Sequence, residues 1–91
     1  MNAIIYARSA THDKQAISKQ INDCKAYAAA NGLNVLSVAA TPEEFEVGIL
    51  GLDIEKVIIS TPSRLSRNAR EHMKIITMLN HLKIDVVAVN E

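Results

Sequence analysis

The chain has 91 residues, 48% of them apolar, with 10 basic and 10 acidic side chains, a balance that excludes a disordered chain and fits one domain. It has no run of about 20 apolar residues and no basic, apolar leader, which excludes a membrane span and a secretory signal peptide. One cysteine excludes a disulfide framework, and 3% aromatic residues leave little for stacking single-stranded bases. We therefore expect a cytoplasmic protein without a membrane partner.

The first half of the chain alternates between apolar runs and helical spacing. Residues 2–7 are a short apolar run typical of a buried strand, and residues 33–40 form a second one. Between them, residues from about 13 to 31 repeat at helical spacing, and Asn31-Gly32 predicts a left-handed cap at the helix end. The predicted inner face of this helix carries Ile17, Ile21, Cys24 and Ala28.

The second half of the chain opens with residues that are typical of a helix N-terminus. Thr41 is the predicted cap, Pro42 takes the first helical position, and Glu44 lies three residues after the cap. Three further elements are predicted in the order strand, helix and strand, over residues 55–60, 67–83 and 85–90.

Each of the two later helices has a predicted apolar face. Phe45, Ile49 and Leu52 are expected to share the inner face of the helix after Thr41, which Gly48 and Gly51 keep short. The predicted inner stripe of the last helix is Met73, Ile76, Leu79 and Leu82. That helix carries more apolar residues than one face can bury, which predicts self-association.

Strict alternation of strands and helices predicts an α/β protein with three α/β/α layers around a four-stranded parallel sheet. In such sheets the functional crevice lies outside the carboxyl ends of the strands. The loops that follow the first and third strands meet there. Arg8 lies in the first of these loops, and Arg64 and Arg67 lie in the second. Guanidinium groups beside hydroxyls at this edge predict an anion site.

The charges are strongly separated along the chain. Residues 63–83 hold five basic residues and one acid, and residues 41–55 hold five acids and no base. An alternative interpretation is that the arginines are a solvated helix start, capped by Ser66 or Asn68. The three histidines lack metal-ligand spacing, so no metal and no cofactor are expected.

Several of these residues resemble serine recombinases of the resolvase/invertase family. Residues 6–11 read Tyr-Ala-Arg-Ser-Ala-Thr and resemble the opening of that family, and residues 64–68 read Arg-Leu-Ser-Arg-Asn and resemble its paired-arginine motif. These motifs come in the same order as in the family, and the likeness covers most of the chain. The paired-arginine motif again lies between a strand and a long helix. Together with the alternation, the resemblance implies the sheet order 2-1-3-4 and one resolvase-like domain over residues 1–91. The family's C-terminal dimerisation helix and DNA-binding region are expected to be absent.

The resemblance also implies a chemistry. In this family a serine hydroxyl attacks a DNA phosphodiester and arginines stabilise the transition state without a metal. Carried over residue by residue, the implied catalytic set is Arg8, Ser9, Arg64 and Arg67. The implied DNA and phosphate contacts are Arg8, Arg64, Arg67, Arg70 and Lys74. The expected partners are DNA, bound weakly by this chain alone, a second copy of the chain, and a full-length recombinase.

The sequence departs from the family pattern at the reacting position. Aligned without a gap from Tyr6, the nucleophile position is Ala10, and Ser9 lies one residue early. Ser63 replaces the acid that precedes the paired-arginine motif, and residues 41–53 lack the arginine that the family places there. The leading hypothesis is therefore a serine-recombinase catalytic domain that is weak or inactive by itself. The alternatives are a non-catalytic dimerisation or regulatory module and a small anion- or nucleotide-binding α/β domain.

Overall fold

The computed structural model describes residues 1–7, 14–60 and 69–90. All seven predicted elements are confirmed, with ends that differ from the prediction by a few residues. In chain order they are β1 (Asn2–Tyr6), α1 (Lys14–Ala30), β2 (Asn34–Ala39), α2 (Pro42–Gly51), β3 (Lys56–Ile59), α3 (Ala69–His81) and β4 (Asp85–Ala88). None of the helices in these described ranges is long and apolar enough to cross a membrane.

The four strands form one parallel sheet in the order β2-β1-β3-β4, as predicted. In this register Tyr6 of β1 pairs with Ile59 of β3, and Ile59 pairs with Ala88 of β4. Backbone pairing continues past β4, since the Val89 N–H donates to the Ile59 carbonyl at 2.9 Å. A register shift between Ala3 and Ile4 interrupts the pairing of β1 with β2.

Side chains of β1 alternate between two cores, which places helices on both faces of the sheet. Ile4 and Tyr6 belong to a cluster with Phe45 of α2 and Leu79 of α3. The other face of the sheet packs against α1, through a cluster that consists of Ala3, Ile5, Cys24, Ala28 and Ile58. The predicted three-layer α/β/α architecture is therefore confirmed.

The buried faces of the helices differ in part from the prediction. In α1, Gln20 is buried beside Cys24 and Ala28, while Ile17 and Ile21 are half-buried. Helix α1 is therefore turned about its own axis relative to the prediction, so that Gln20 lies with Cys24 and Ala28 on the buried face.

The predicted stripes of the two later helices were wrong at their ends. Leu52 is 42% exposed because it lies one residue past the end of α2 in an extended conformation. Met73 is 62% exposed and Leu82 is 42% exposed, whereas Ile75 and Ile76 pack against the core beside Leu79.

Gly48 lies inside α2 and is buried. A Cβ at this position would lie 2.5 Å from Cδ1 of Ile4, a side chain with no exposed surface. The absence of a side chain thus lets α2 pack directly on β1.

The predicted caps are confirmed. Thr41 is extended, at φ −131° and ψ 157°, and its Oγ1 accepts from the Glu44 N–H at 3.1 Å. Gly32 ends α1 at φ +67°, and the Leu33 N–H donates to the Ala28 carbonyl at 2.9 Å. These bonds satisfy backbone groups that the helix ends leave unpaired.

Replacing Thr41 by alanine should lower the free energy of unfolding by about 1 kcal/mol, because the Glu44 N–H loses its acceptor. Thr41→Ser retains the hydroxyl and should stay within a few tenths of a kcal/mol of wild type. The matched control is Thr77→Ala at an exposed position inside α3, where alanine should be neutral or slightly stabilising. Urea titration followed by circular dichroism measures all three, and an equal loss in Thr41→Ala and Thr77→Ala would contradict the capping role.

Candidate functional site at the carboxyl edge of the sheet

The two arginine-bearing segments of the sequence follow neighbouring strands. Tyr6 and Ile59 are paired at the carboxyl ends of β1 and β3, so residues 8–13 and 61–68 begin at adjacent points of one sheet edge. Neighbouring strands are separated by about 4.8 Å. The four predicted catalytic residues, Arg8, Ser9, Arg64 and Arg67, lie outside the described residues. The convergence of the three arginines on one anion stays a prediction.

Both strand ends are held by backbone hydrogen bonds up to the last described residue before each of these segments. Ala7 is buried, and its N–H donates to the Ala39 carbonyl at 2.9 Å. Ser60 is 7% exposed, and its carbonyl accepts from the Asn90 N–H at 2.7 Å. Ala7 and Ser60 are therefore fixed in place at the edge of the sheet.

The side chain of Asn90 links three elements at this edge. Its Nδ2 donates to Asp23 Oδ2 at 3.1 Å and to Ser60 Oγ at 3.3 Å, which joins the end of β4 to α1 and to the end of β3. Sequence reasoning missed this bridge. No local pattern indicates it, because the three residues come from distant parts of the chain.

Arg70 and Lys74, the two predicted phosphate contacts within the described residues, lie together. They are four residues apart on α3, both exposed, and they line one shallow groove with Met73, Thr77 and Met78. A base in the first turn of a helix opposes the helix dipole, which favours anions there. The phosphate contacts of Arg70 and Lys74 stay a prediction, and so does the alternative of a solvated helix start.

A cavity of about 340 Å³ lies beside these bases, between α2 and α3. The rings of Tyr6 and Phe45 stack in its wall, with centroids 4.4 Å apart and planes at 7°. Lys74 lines it together with two carboxylates, those of Glu46 and Glu71. Sequence reasoning missed this cavity. The two carboxylates show that the surroundings of Lys74 are of mixed charge.

Cys24 is a core residue, as the sequence indicated. Burial, with a smaller contribution from the charge of Asp23, raises the pKa of its thiol to about 11. The thiol is therefore protonated at neutral pH and unsuited to nucleophilic chemistry. Within residues 1–7, 14–60 and 69–90, no group of three or more His, Cys, Asp or Glu side chains could hold a metal ion.

Solved structures of recombinases and of an integrase have the same fold as this chain. The chain is 24% identical to the C-terminal catalytic domain of ISC1926 TnpA, an IS607-like serine recombinase, with a TM-score of 0.82 over 100% of this chain and 71% of that one. It is 22% identical to the N-terminal catalytic domain of TP901-1 integrase, with a TM-score of 0.83 over 98% of this chain and 77% of that one. A resolvase family site-specific recombinase from Streptococcus pneumoniae is 18% identical, with a TM-score of 0.83 over 98% of this chain and 72% of that one.

No curated protein matches the chain. The family model described as "Resolvase, N terminal domain" matches residues 3–91, which is nearly the entire chain. The paired strand ends and this match agree with the resemblance in the motifs. The chain therefore belongs to the resolvase N-terminal domain family and has the catalytic-domain fold of serine recombinases.

Proposed function

We propose that this chain is a DNA-acting domain of a site-specific serine recombinase, with weak or no strand transfer when it is alone. The observation that carries the proposal is the pairing of Tyr6 with Ile59, because the two arginine-bearing segments of the sequence follow these strand ends. The family match over residues 3–91 supports it.

The proposed reaction is phosphoryl transfer. A serine Oγ attacks the phosphorus of a DNA phosphodiester and forms a phosphoserine bond. The bond to the deoxyribose oxygen breaks, and the proton that the serine hydroxyl releases balances the one that the leaving oxygen takes up. Arg8, Arg64 and Arg67 neutralise the charge that develops on the phosphate oxygens. Arg70 and Lys74 lie outward along α3, where they contact neighbouring phosphates.

The weakness of the reaction follows from the nucleophile. Ser9 supplies the hydroxyl in this proposal, one residue before the position that the family motif assigns to it. A displacement of about 1 Å at a reacting centre lowers a rate by about 100-fold. The acidic surface of α2 adds to this, since Glu43, Glu44 and Glu46 are exposed and repel a phosphate backbone.

Salt-dependent DNA binding tests the proposal. Fluorescence anisotropy with a labelled duplex should give a dissociation constant of about 10⁻⁴ M or weaker near physiological salt, and the affinity should fall steeply as salt rises. Replacement of Arg8, Arg64 or Arg67 by glutamine should each reduce the salt slope by about 1, because one phosphate contact is lost.

The matched control is Lys19→Gln, which removes one exposed charge from α1. This helix packs on the face of the sheet opposite to α2 and α3, so the salt slope should stay unchanged. Equal effects of Lys19→Gln and the three arginine variants would contradict the proposed site. Binding of free phosphate or a mononucleotide as tightly as the duplex would favour the anion-binding module instead.

A further inference from the structure

A groove of about 390 Å³ lies between the edge strand β2 and helix α2, on the side of α2 away from the cavity that it shares with α3. Ser37 of β2 lines one side of it, and Leu52 lines the end beyond α2. The helix side has residues at the spacing i, i+3, i+4 and i+7, which places them on one face: Glu44, Val47, Gly48 and Gly51. We call this site the β2–α2 groove.

The glycine at position 51 is not explained by the fold. Gly51 has no positive φ, and no described atom lies within 4 Å of a Cβ built on it. Glycine also weakens a helix relative to alanine. Its lack of a side chain keeps the groove open, which is the use that glycine has where another chain or a ligand approaches the backbone closely.

The groove exposes apolar surface. Val47 is 71% exposed and Leu52 is 42% exposed, although both lie beside the backbone of Gly51 in the lining. An apolar side chain placed over Gly51 would therefore remove water from both of them, which favours binding.

The strand beside the groove can accept another strand. In the sheet that the described residues form, β2 lies at one edge, so its outer backbone groups face away from β1. Residues 37–39 pair with β1 in continuous register, after the register shift, which gives a regular edge. Alternate side chains of a strand added there would point to the α2 side of the sheet, as Ser37 does, and enter the groove.

The charge around the groove selects the partner. Residues 34–55 contain five acids and no base, and all five acids are exposed. Glu44 lies in the lining itself. Carboxylates at this density attract a basic segment and repel nucleic acid and anionic lipid surfaces.

We propose that the β2–α2 groove binds an extended segment of a partner protein in which apolar and basic side chains alternate. The backbone of the segment pairs with the edge of β2, its apolar side chains cover Val47 and Leu52 above Gly51, and its basic side chains face the acids. Residues 44–51 of α2 span about 10 Å, which is the length of about three extended residues. This interaction is separate from the proposed recombinase function and requires no DNA chemistry.

Peptide binding tests the site. The probe is a fluorescein-labelled heptapeptide with blocked ends in which lysine and valine alternate, and fluorescence anisotropy should show saturation below about 1 mM. Two matched peptides separate the sources of affinity, one with glutamate for lysine and one with serine for valine. Each should bind at least 10-fold more weakly, because one loses the attraction to the acids and the other loses the apolar contacts.

Two pairs of variants locate the binding. Gly51→Leu fills the groove and should weaken binding of the lysine–valine probe at least 10-fold, whereas Ala26→Leu, at an exposed position of α1, should leave it unchanged. Glu44→Gln should weaken binding by about 3-fold, as expected for one exposed ion pair. Asp85→Asn removes the same charge from an exposed position of β4, at the other edge of the sheet, and should have no effect. Circular dichroism establishes that each variant is folded.

Three results would overturn the inference, whatever the salt dependence of DNA binding. The first is no saturation by the lysine–valine probe up to about 1 mM. The second is an equal loss of affinity in Gly51→Leu and Ala26→Leu. The third is a set of groove resonances, in ¹⁵N-correlated NMR spectra, that shift with protein concentration alone and not with the probe, since a second copy of the chain would then occupy the groove.

Discussion

Replacing Ala10 by serine is expected to raise the yield of a serine-linked DNA adduct by about 100-fold or more. The family motif, aligned without a gap from Tyr6, puts the reacting hydroxyl at position 10, and this chain has a methyl group there. Loss of the nucleophile from a concerted catalytic site removes nearly all of the rate that the site supplies. A hydroxyl one residue early recovers little of this rate, because a displacement of about 1 Å between reacting atoms lowers a rate by about 100-fold.

The adduct is measured by incubating supercoiled DNA with the protein, quenching with denaturant and detecting protein attached to a cut strand. Ser9→Ala is the matched variant, since it removes the neighbouring hydroxyl and keeps position 10 as it is. Wild type and Ser9→Ala should both stay near background. A strong wild-type adduct that disappears in Ser9→Ala would identify Ser9 as a competent nucleophile and contradict the prediction.

Replacing Gly48 by alanine should lower the free energy of unfolding by about 1–2 kcal/mol. The new Cβ would lie 2.5 Å from Ile4 Cδ1, which is buried in the core and can move only into other core atoms. Overpacking of this kind costs about 1–3 kcal/mol, and the better helix propensity of alanine offsets up to about 1 kcal/mol of it. For a domain of this size the melting temperature should fall by about 5–15 °C.

A double-mutant cycle tests the proposed cause. Ile4→Val removes Cδ1 and should cost about 0.5–1.5 kcal/mol alone. Combined with Gly48→Ala, it should be less destabilising than the sum of the two single changes, because the clashing atom is gone. Gly51→Ala is the control, since a Cβ there meets nothing within 4 Å. Additive single effects, or an equal loss in Gly51→Ala, would show that packing against Ile4 is not the reason.

The place of the candidate site followed from the sequence, but its surroundings did not. Alternating elements put the loops after the first and third strands at one sheet edge, and the pairing of Tyr6 with Ile59 confirms that these strand ends are neighbours. The Asn90 bridge and the cavity between α2 and α3 have no local signal. They depend on which side chains from distant segments come within hydrogen-bonding or packing distance, and only the tertiary structure decides this.

Sequence alone determined the order of the elements and the ends of two helices, because these depend on neighbouring residues. Thr41 caps α2 through a bond to a residue three positions away, and Gly32 ends α1 because a glycine adopts a positive φ without strain. Lys83 adopts φ 60° after α3 with no glycine to signal it. There the Ile84 N–H donates to the Leu79 carbonyl at 2.8 Å, the same helix-end bond that Leu33 makes to Ala28 after Gly32.

Which side of α3 is buried was decided by the tertiary structure. Met73 and Leu82 are nine positions apart in the sequence, which on an ideal helix is about 2.5 turns, so they point in opposite directions and cannot share a face. Apolar residues lie on several sides of this helix. The predicted stripe followed every third residue, and this spacing did not show which side is buried. Packing on the sheet selected the side with Ile75, Ile76 and Leu79 and left Met73 exposed, because only one side of a surface helix can face the core.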